Sequence, residues 1–152
     1  MSALAAAAVT AWARERLEAP SLVEAPDALP ASEGADLVIL QASRFGPLMS
    51  TFMRIADGMA MAGRAVLSDI VWSTAPTPEL LAAFGPPHSP EAVRPVEGYE
   101  MQMEHAGLRI VERFDVPRDA WRPDLDAAAA AAVDADTRGA AALAAWLVER
   151  VE

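Results

Sequence analysis

Two apolar runs flanking an amphipathic stretch constrain this chain more than any other feature. Asp36-Leu37-Val38-Ile39-Leu40 and Ala65-Val66-Leu67-Ser68-Asp69-Ile70-Val71-Trp72 are apolar in consecutive rather than alternate positions. A strand of that kind buries both faces, as central strands of a parallel sheet do. Between them Gly46-Pro47 opens a helix in which Leu48, Phe52, Ile55, Met59 and Ala62 recur at helical spacing, with Gly63 placed as its C′ residue. Strand, helix and strand in that order form a right-handed crossover unit. An α/β layered sheet is expected.

The flanking segments extend the pattern. Ser2 is placed as the cap of a helix running to Leu17, with Leu4, Ala8, Ala11 and Trp12 along one side. Ser21 to Ala25 reads as a brief buried strand. Thr77-Pro78-Glu79 supplies a cap, a first-turn proline and an acid for a short helix through Phe84. Gly85 to Pro95 carries four prolines and reads as an exposed loop. Val96 to Ala106 follows as a helix stopped by Gly107, then a strand from Leu108 to Val116. Alanine makes Asp124 to Asp134 helical. Ala140 to Val151 is either a helix with Leu143, Leu147 and Val151 on one stripe, or a strand in which Trp146 and Val148 share a face.

At 152 residues and 53% hydrophobic content, residues 1–152 fit a single domain with one core. The 12 basic and 22 acidic residues leave a net charge of -10, which argues against nucleic-acid partners and docking on anionic membranes. Every basic residue is arginine, and there is no lysine, asparagine or cysteine. That excludes Schiff-base lysines, thiol nucleophiles and thiolate metal sites. The apolar start lacks the basic n-region of a signal peptide, and no run approaches the roughly 18 apolar residues of a membrane span. A cytoplasmic protein is expected.

The 8 glycines stand at 34, 46, 58, 63, 85, 98, 107 and 139, too dispersed for the G-x-G-x-x-G turn that holds a dinucleotide. Gly58 and Gly63 have P-loop spacing, but Arg64-Ala65 follows where Lys and Ser/Thr are required.

The order of segments resembles the later part of a class I S-adenosylmethionine-dependent methyltransferase. Ala13-Arg14-Glu15-Arg16-Leu17 is similar to the "ARERL" phrase that ends the helix before the family's third strand. Val23 to Pro30 resembles the acidic-alanine-leucine-proline phrase after that strand. Asp36 to Leu40 looks like the fourth strand. "MAGRAVLSDIV", Met61 to Val71, stands where the family commonly has "PGGRLVLSD". Glu104 to Val111 resembles the "AG" turn into the sixth strand. The resemblance covers Ala13 to Val116. It implies a truncated Rossmann-like, class I methyltransferase-like α/β fold: a mostly parallel sheet with flanking helices, and the family's first two strands missing. The glycine-rich turn and the ribose-gripping acid belong to those strands, so no cofactor is expected to bind this chain alone.

In the family the third strand lies beyond the two missing ones. The Ser21 to Ala25 run must then pair directly with Asp36 to Leu40, or another chain must supply that edge. A homo- or hetero-oligomer is expected.

Few residues offer themselves for a site. The resemblance places Asp27 near the adenine amino group, although an Asp after Pro26 also caps a turn. Gln41, Ser43 and Arg44 follow the first strong strand, at the crevice edge where open α/β sheets hold ligands. Gln41 joins Asp27 as a cofactor-contact candidate; Ser43, Arg44 and Asp69 form a ligand-crevice set. Arg44 is either a bidentate carboxylate partner or a solvated loop residue. Asp69, inside an apolar strand, needs a partner or a raised pKa, or serves structure alone. His88 and His105 are too far apart in sequence to suggest a metal site, and no catalytic residue or metal ligand is assigned. The methionines at 49, 53, 59, 61, 101 and 103 read as core filling or an adaptable interface, as do Trp72, Trp121 and Trp146. The expected function is a non-catalytic or partner-dependent structural or regulatory subunit. The alternative is one subunit of a split methyltransferase, active only with a chain supplying the glycine-rich half.

Overall fold

The computed structural model describes residues 3–17, 35–41, 47–73, 77–83, 95–131 and 141–151. They form α1 (Ala3–Leu17), β1 (Ala35–Gln41), α2 (Leu48–Gly58), β2 (Met59–Trp72), α3 (Pro78–Ala83), α4 (Val96–His105), β3 (Leu108–Asp115), α5 (Arg118–Ala131) and β4 (Ala141–Arg150). The expected strand at Ser21 to Ala25 lies outside the described residues.

The four strands form one sheet in the order β1-β2-β4-β3. β1 and β2 pair in parallel across the α2 crossover, Leu37 opposite Arg64 and Leu40 opposite Leu67. β4 is antiparallel to both β2 and β3. Two of the three pairings are therefore antiparallel, and the expectation of a mostly parallel sheet is corrected. The cause is where β4 begins: Ala141 pairs with Trp72 and Ala144 with Asp115, at the edge where β2 and β3 end, so the chain runs back between them.

β4 also resolves the ambiguity of the tail in favour of a strand. Ala144, Trp146 and Val148 enter the core on one side of the sheet, and Leu143, Ala145 and Leu147 the core on the other. That alternation has a period of two, and a helix cannot bury both sets on opposite faces.

Each face of the sheet carries its own helices. On one face α1 and α5 bring Val9, Trp12, Trp121 and Leu125 against Val66, Ile70 and Leu147. On the other, α2 and α4 bring Phe52, Ile55, Tyr99 and Met103 against Leu67, Val71 and Trp146. Tyr99 stacks on Trp146 at 5.5 Å between ring centroids and meets Phe52 edge-on at 6.5 Å. Trp146 also donates from Nε1 to Glu100 Oε1 at 3.1 Å.

A bulge in β3 decides which side chains meet which helix. The register slips between Ile110 and Glu112, leaving Val111 extra and 49% exposed. Before the slip Leu108 and Ile110 face α4; after it Phe114 faces α1. One inserted residue reverses the alternation. Phe114 thereby stacks on Trp12 at 5.1 Å, and Glu112 accepts from Arg16 Nε at 2.7 Å. That guanidinium holds the Glu112 carboxyl below its ordinary value.

Three element boundaries differ from expectation. α2 stops at Gly58, four residues short of Ala62, and Gly63 lies inside β2. The intervening stretch is an irregular entry to the strand, because Ala35 pairs with Met59 but Leu37 with Arg64. Within it Ala62 has φ 60°, a left-handed conformation unusual for alanine. α5 starts at Arg118 and continues through Pro123, since buried Trp121 and Leu125 anchor it one turn apart and offset the missing backbone donor. The buried stripe of α1 is Ala5, Val9, Trp12 and Ala13, leaving Leu4 60% exposed; a helix this rich in alanine gives its apolar face little phase. Gly107 ends α4 at φ 80°, as expected.

Candidate functional site

The expected crevice residues are only partly brought together. Asp27, Ser43 and Arg44 lie outside the described residues, as does His88. Gln41 is the last residue of β1 and its backbone pairs with Ser68 of β2, the residue before Asp69. Asp69 is wholly buried, and its Oδ1 accepts the Ile70 amide at 2.8 Å. His105 is exposed, its Nδ1 2.8 Å from the Met101 carbonyl oxygen. Among the described residues no group of three or more acidic or histidine side chains is arranged to hold a metal. None of the described helices is long and apolar enough to cross a membrane.

The structure opens a cleft elsewhere along the same carboxyl edge. It has a volume of about 550 Å3 and lies where β2 and β3 end and β4 begins, under the first turns of α4 and α5. Pro95, Val96 and Ala142 contribute its exposed apolar surface, and Ser73, Glu97, Arg113, Asp115 and Arg118 its polar rim, with Trp72 and Trp121 packed beneath. Both tryptophans are almost fully buried, so neither presents a ring face to the cleft. Arg113 Nε lies 3.4 Å from Asp115 Oδ1, and its Nη1 3.8 Å from Glu100 Oε1. Arg113 and Asp115 share a strand face two residues apart, which is why they reach the cleft together.

Sequence reasoning placed Trp72 and Trp121 only as core or interface residues and did not single out Arg113, Asp115 or Arg118. The available signal was two charges at alternate positions of a strand end, followed by Val116-Pro117 and a further arginine. Without the bulge that sets their face, that pattern does not distinguish a cleft from solvent. The edge itself is where open α/β sheets place ligands.

The sequence matches no family profile and no curated relative. Solved structures do match. A SAM-dependent methyltransferase from Geobacter sulfurreducens, in complex with S-adenosyl-L-homocysteine, superposes with a TM-score of 0.57 at 13% identity, over 85% of this chain and 61% of that one. Geranyl diphosphate C-methyltransferase from Streptomyces coelicolor A3(2), with Mg2+, geranyl diphosphate and S-adenosyl-L-homocysteine, gives a TM-score of 0.57 at 15% identity, over 82% of this chain and 51% of that one. This chain has the methyltransferase fold. The same fold is shared by the [4+2]-cyclase SpnF, with a TM-score of 0.56 at 16% identity, over 93% of this chain and 60% of that one. A methyltransferase fold is thus compatible with an enzyme named for another reaction, and activity must be argued from the site. The chain spans 51 to 61% of the length of these three structures.

Proposed function

We propose that this chain is a methyltransferase-fold subunit that does not bind S-adenosylmethionine by itself and works as a structural or regulatory partner within an oligomer. The observation that carries the proposal is the outer edge of β1. Among the described residues, β1 pairs with β2 on one side and with no strand on the other. Leu37 to Leu40 is apolar at every position, the pattern of a strand with both faces covered, as inner strands have. An edge of that kind is a template for another chain. The lack of a glycine-rich turn in the 152 residues supports the cofactor half of the proposal, because close backbone approach and helix amides are what hold such a ligand.

The mass in solution tests the association. Light scattering on the purified chain is expected to return a multiple of 16.1 kDa, or a heavier complex once a partner is present. A 16.1 kDa monomer under both conditions contradicts it.

A second reading is favoured by the share of each neighbour that is matched. About two-fifths of the Geobacter sulfurreducens enzyme and one-half of the Streptomyces coelicolor enzyme have no counterpart here, which suits one subunit of a split methyltransferase. In that case Asp27 and Gln41 would touch a cofactor held mainly by the other chain, and Ser43, Arg44 and Asp69 would line the crevice beside it. Methyl transfer that appears only when a glycine-rich partner chain is added would distinguish this from a non-catalytic role.

A further inference from the structure

The methionines separate into two groups once the helices are in place. Met59 and Met103 are 1% and 0% exposed and fill the core beneath α2 and α4. Met49, Met53 and Met101 stand on those same two helices and are 36%, 51% and 52% exposed. They are the only large apolar side chains that the described residues of α2 and α4 leave exposed.

Helical phase gathers them on one outer surface. Phe52 meets Tyr99 edge-on at 6.5 Å, so α2 and α4 lie side by side. Met49 and Met53 are one turn apart and flank Phe52 on α2, and Met101 stands two residues beyond buried Tyr99, on the outward side of α4. Each helix also sets carboxylates beside its methionines. Asp57 follows Met53 by four residues, and Glu97 and Glu104 stand four before and three after Met101, so each is a methionine's neighbour on the helix surface. All three are exposed, and none has a cation within 4.0 Å among the described residues. The chain's net charge of -10 adds a long-range field of the same sign.

We infer that this surface docks a basic amphipathic helix of a partner protein. Its apolar side lies against Met49, Met53 and Met101, and its Lys or Arg side chains reach Asp57, Glu97 and Glu104. Thioether side chains are unbranched and polarizable, so they fit apolar anchors of varied shape. An amphipathic helix presents such anchors at i, i+3, i+4 and i+7. An acidic partner would meet the rim as a like charge, and a second copy of this chain brings the same acidic surface. The surface belongs to the helices and not to the β1 edge, so it stands whether or not a strand pairs there.

The full chain labelled with methyl-13C methionine provides the test, its signals assigned by single Met→Leu changes. The probe is a synthetic Leu/Lys peptide of roughly 18 residues with amphipathic helical spacing; its counterpart carries Glu for every Lys. The Leu/Lys peptide is expected to shift the Met49, Met53 and Met101 methyls saturably and leave buried Met59 and Met103 in place, and the Leu/Glu peptide to shift none. Met49→Gln, Met53→Gln and Met101→Gln together should weaken binding at least about tenfold. Asp57→Asn, Glu97→Gln and Glu104→Gln together should also weaken it about tenfold. Glu15→Gln, Asp119→Asn and Asp126→Asn remove the same charge from α1 and α5, on the opposite face of the sheet, and should leave binding nearly unchanged. Every substituted residue is exposed, so the variants keep the fold. Met49, Met53 and Met101 methyls unmoved by millimolar Leu/Lys peptide overturn the inference, as do unweakened binding by the methionine variant and equal weakening by the two charge sets. Movement of those methyls with protein concentration alone would make a second copy the occupant and overturn it too.

Discussion

Replacing Ala62 by glycine should stabilise this protein, although the same change inside a helix would weaken it. Ala62 has φ 60°, a left-handed conformation that costs an L-residue with a Cβ roughly 1–2 kcal/mol. Glycine removes that strain. It also enlarges the conformational freedom of the unfolded chain, which offsets about 0.4–1 kcal/mol of the gain. Ala62 is exposed, so no packing is lost with the methyl group. The net is a stabilisation of about 0.5–1 kcal/mol, seen as a rise of roughly 2–4 °C per kcal/mol in melting temperature for a chain of this length. The phrase that Met61 to Val71 resembles carries glycine at the matching place, which the backbone now explains. Urea unfolding followed by circular dichroism is the assay, with an unchanged denaturant slope as the control on the unfolded state. If Ala62 belonged to α2, as the apolar periodicity predicts, glycine would instead cost about 1 kcal/mol. A fall in the midpoint would therefore refute the irregular entry into β2 and restore the longer helix.

Trp146→Ala should cost about 3–5 kcal/mol, a large part of a domain's stability, because Trp146 is fully buried and stacked on Tyr99. Trp146→Phe keeps most of the stack and loses the bond to Glu100, at about 1–2 kcal/mol; chemical denaturation measures both, and a Trp146→Ala cost below about 1 kcal/mol would remove β4 from the centre of the sheet. Gly107→Ala should cost about 1 kcal/mol from backbone strain alone, since an added Cβ meets nothing within 4 Å at φ +80°; Gly107→Asn should lose less, and equal losses would contradict a conformational cause. Arg16 lowers the folded pKa of Glu112, so the pair stabilises above the unfolded value of about 4.3 and that stabilisation is lost as pH falls through the lower folded value. The melting-temperature difference between the wild type and Glu112→Gln should accordingly be present at neutral pH and vanish in acid; a difference that persists at the lowest pH would mean that the pair is not its source.

How much of this could be read from the sequence depended on what each residue's pattern encodes. The unit β1, α2 and β2 was legible because consecutive apolar residues and helical spacing are local signals. Gly107 was legible because a single residue type fits its conformation. The direction of β4 was not, since it follows from where the chain re-enters the sheet. The α1 stripe was misplaced by one step because Ala5, Ala8, Ala11 and Ala13 are nearly interchangeable in hydropathy, and tertiary packing of Val9 and Trp12 chose among them. The cleft was invisible for a related reason. Arg113 and Asp115 reach it only because Val111 is extra, and a bulge leaves little trace in residue type. Asp27, Ser43 and Arg44 lie outside the described residues; Asp27 was placed by resemblance, Ser43 and Arg44 by their position after the first strong strand.

The cofactor half of the proposed function is open to one direct measurement: calorimetric titration of S-adenosylmethionine into the purified 152-residue chain. No saturable heat is expected, because the sequence offers no glycine-rich turn for the methionine part of the cofactor and β1 has no strand beyond it among the described residues. Micromolar binding by the chain alone would contradict the account and place a complete cofactor site within these residues.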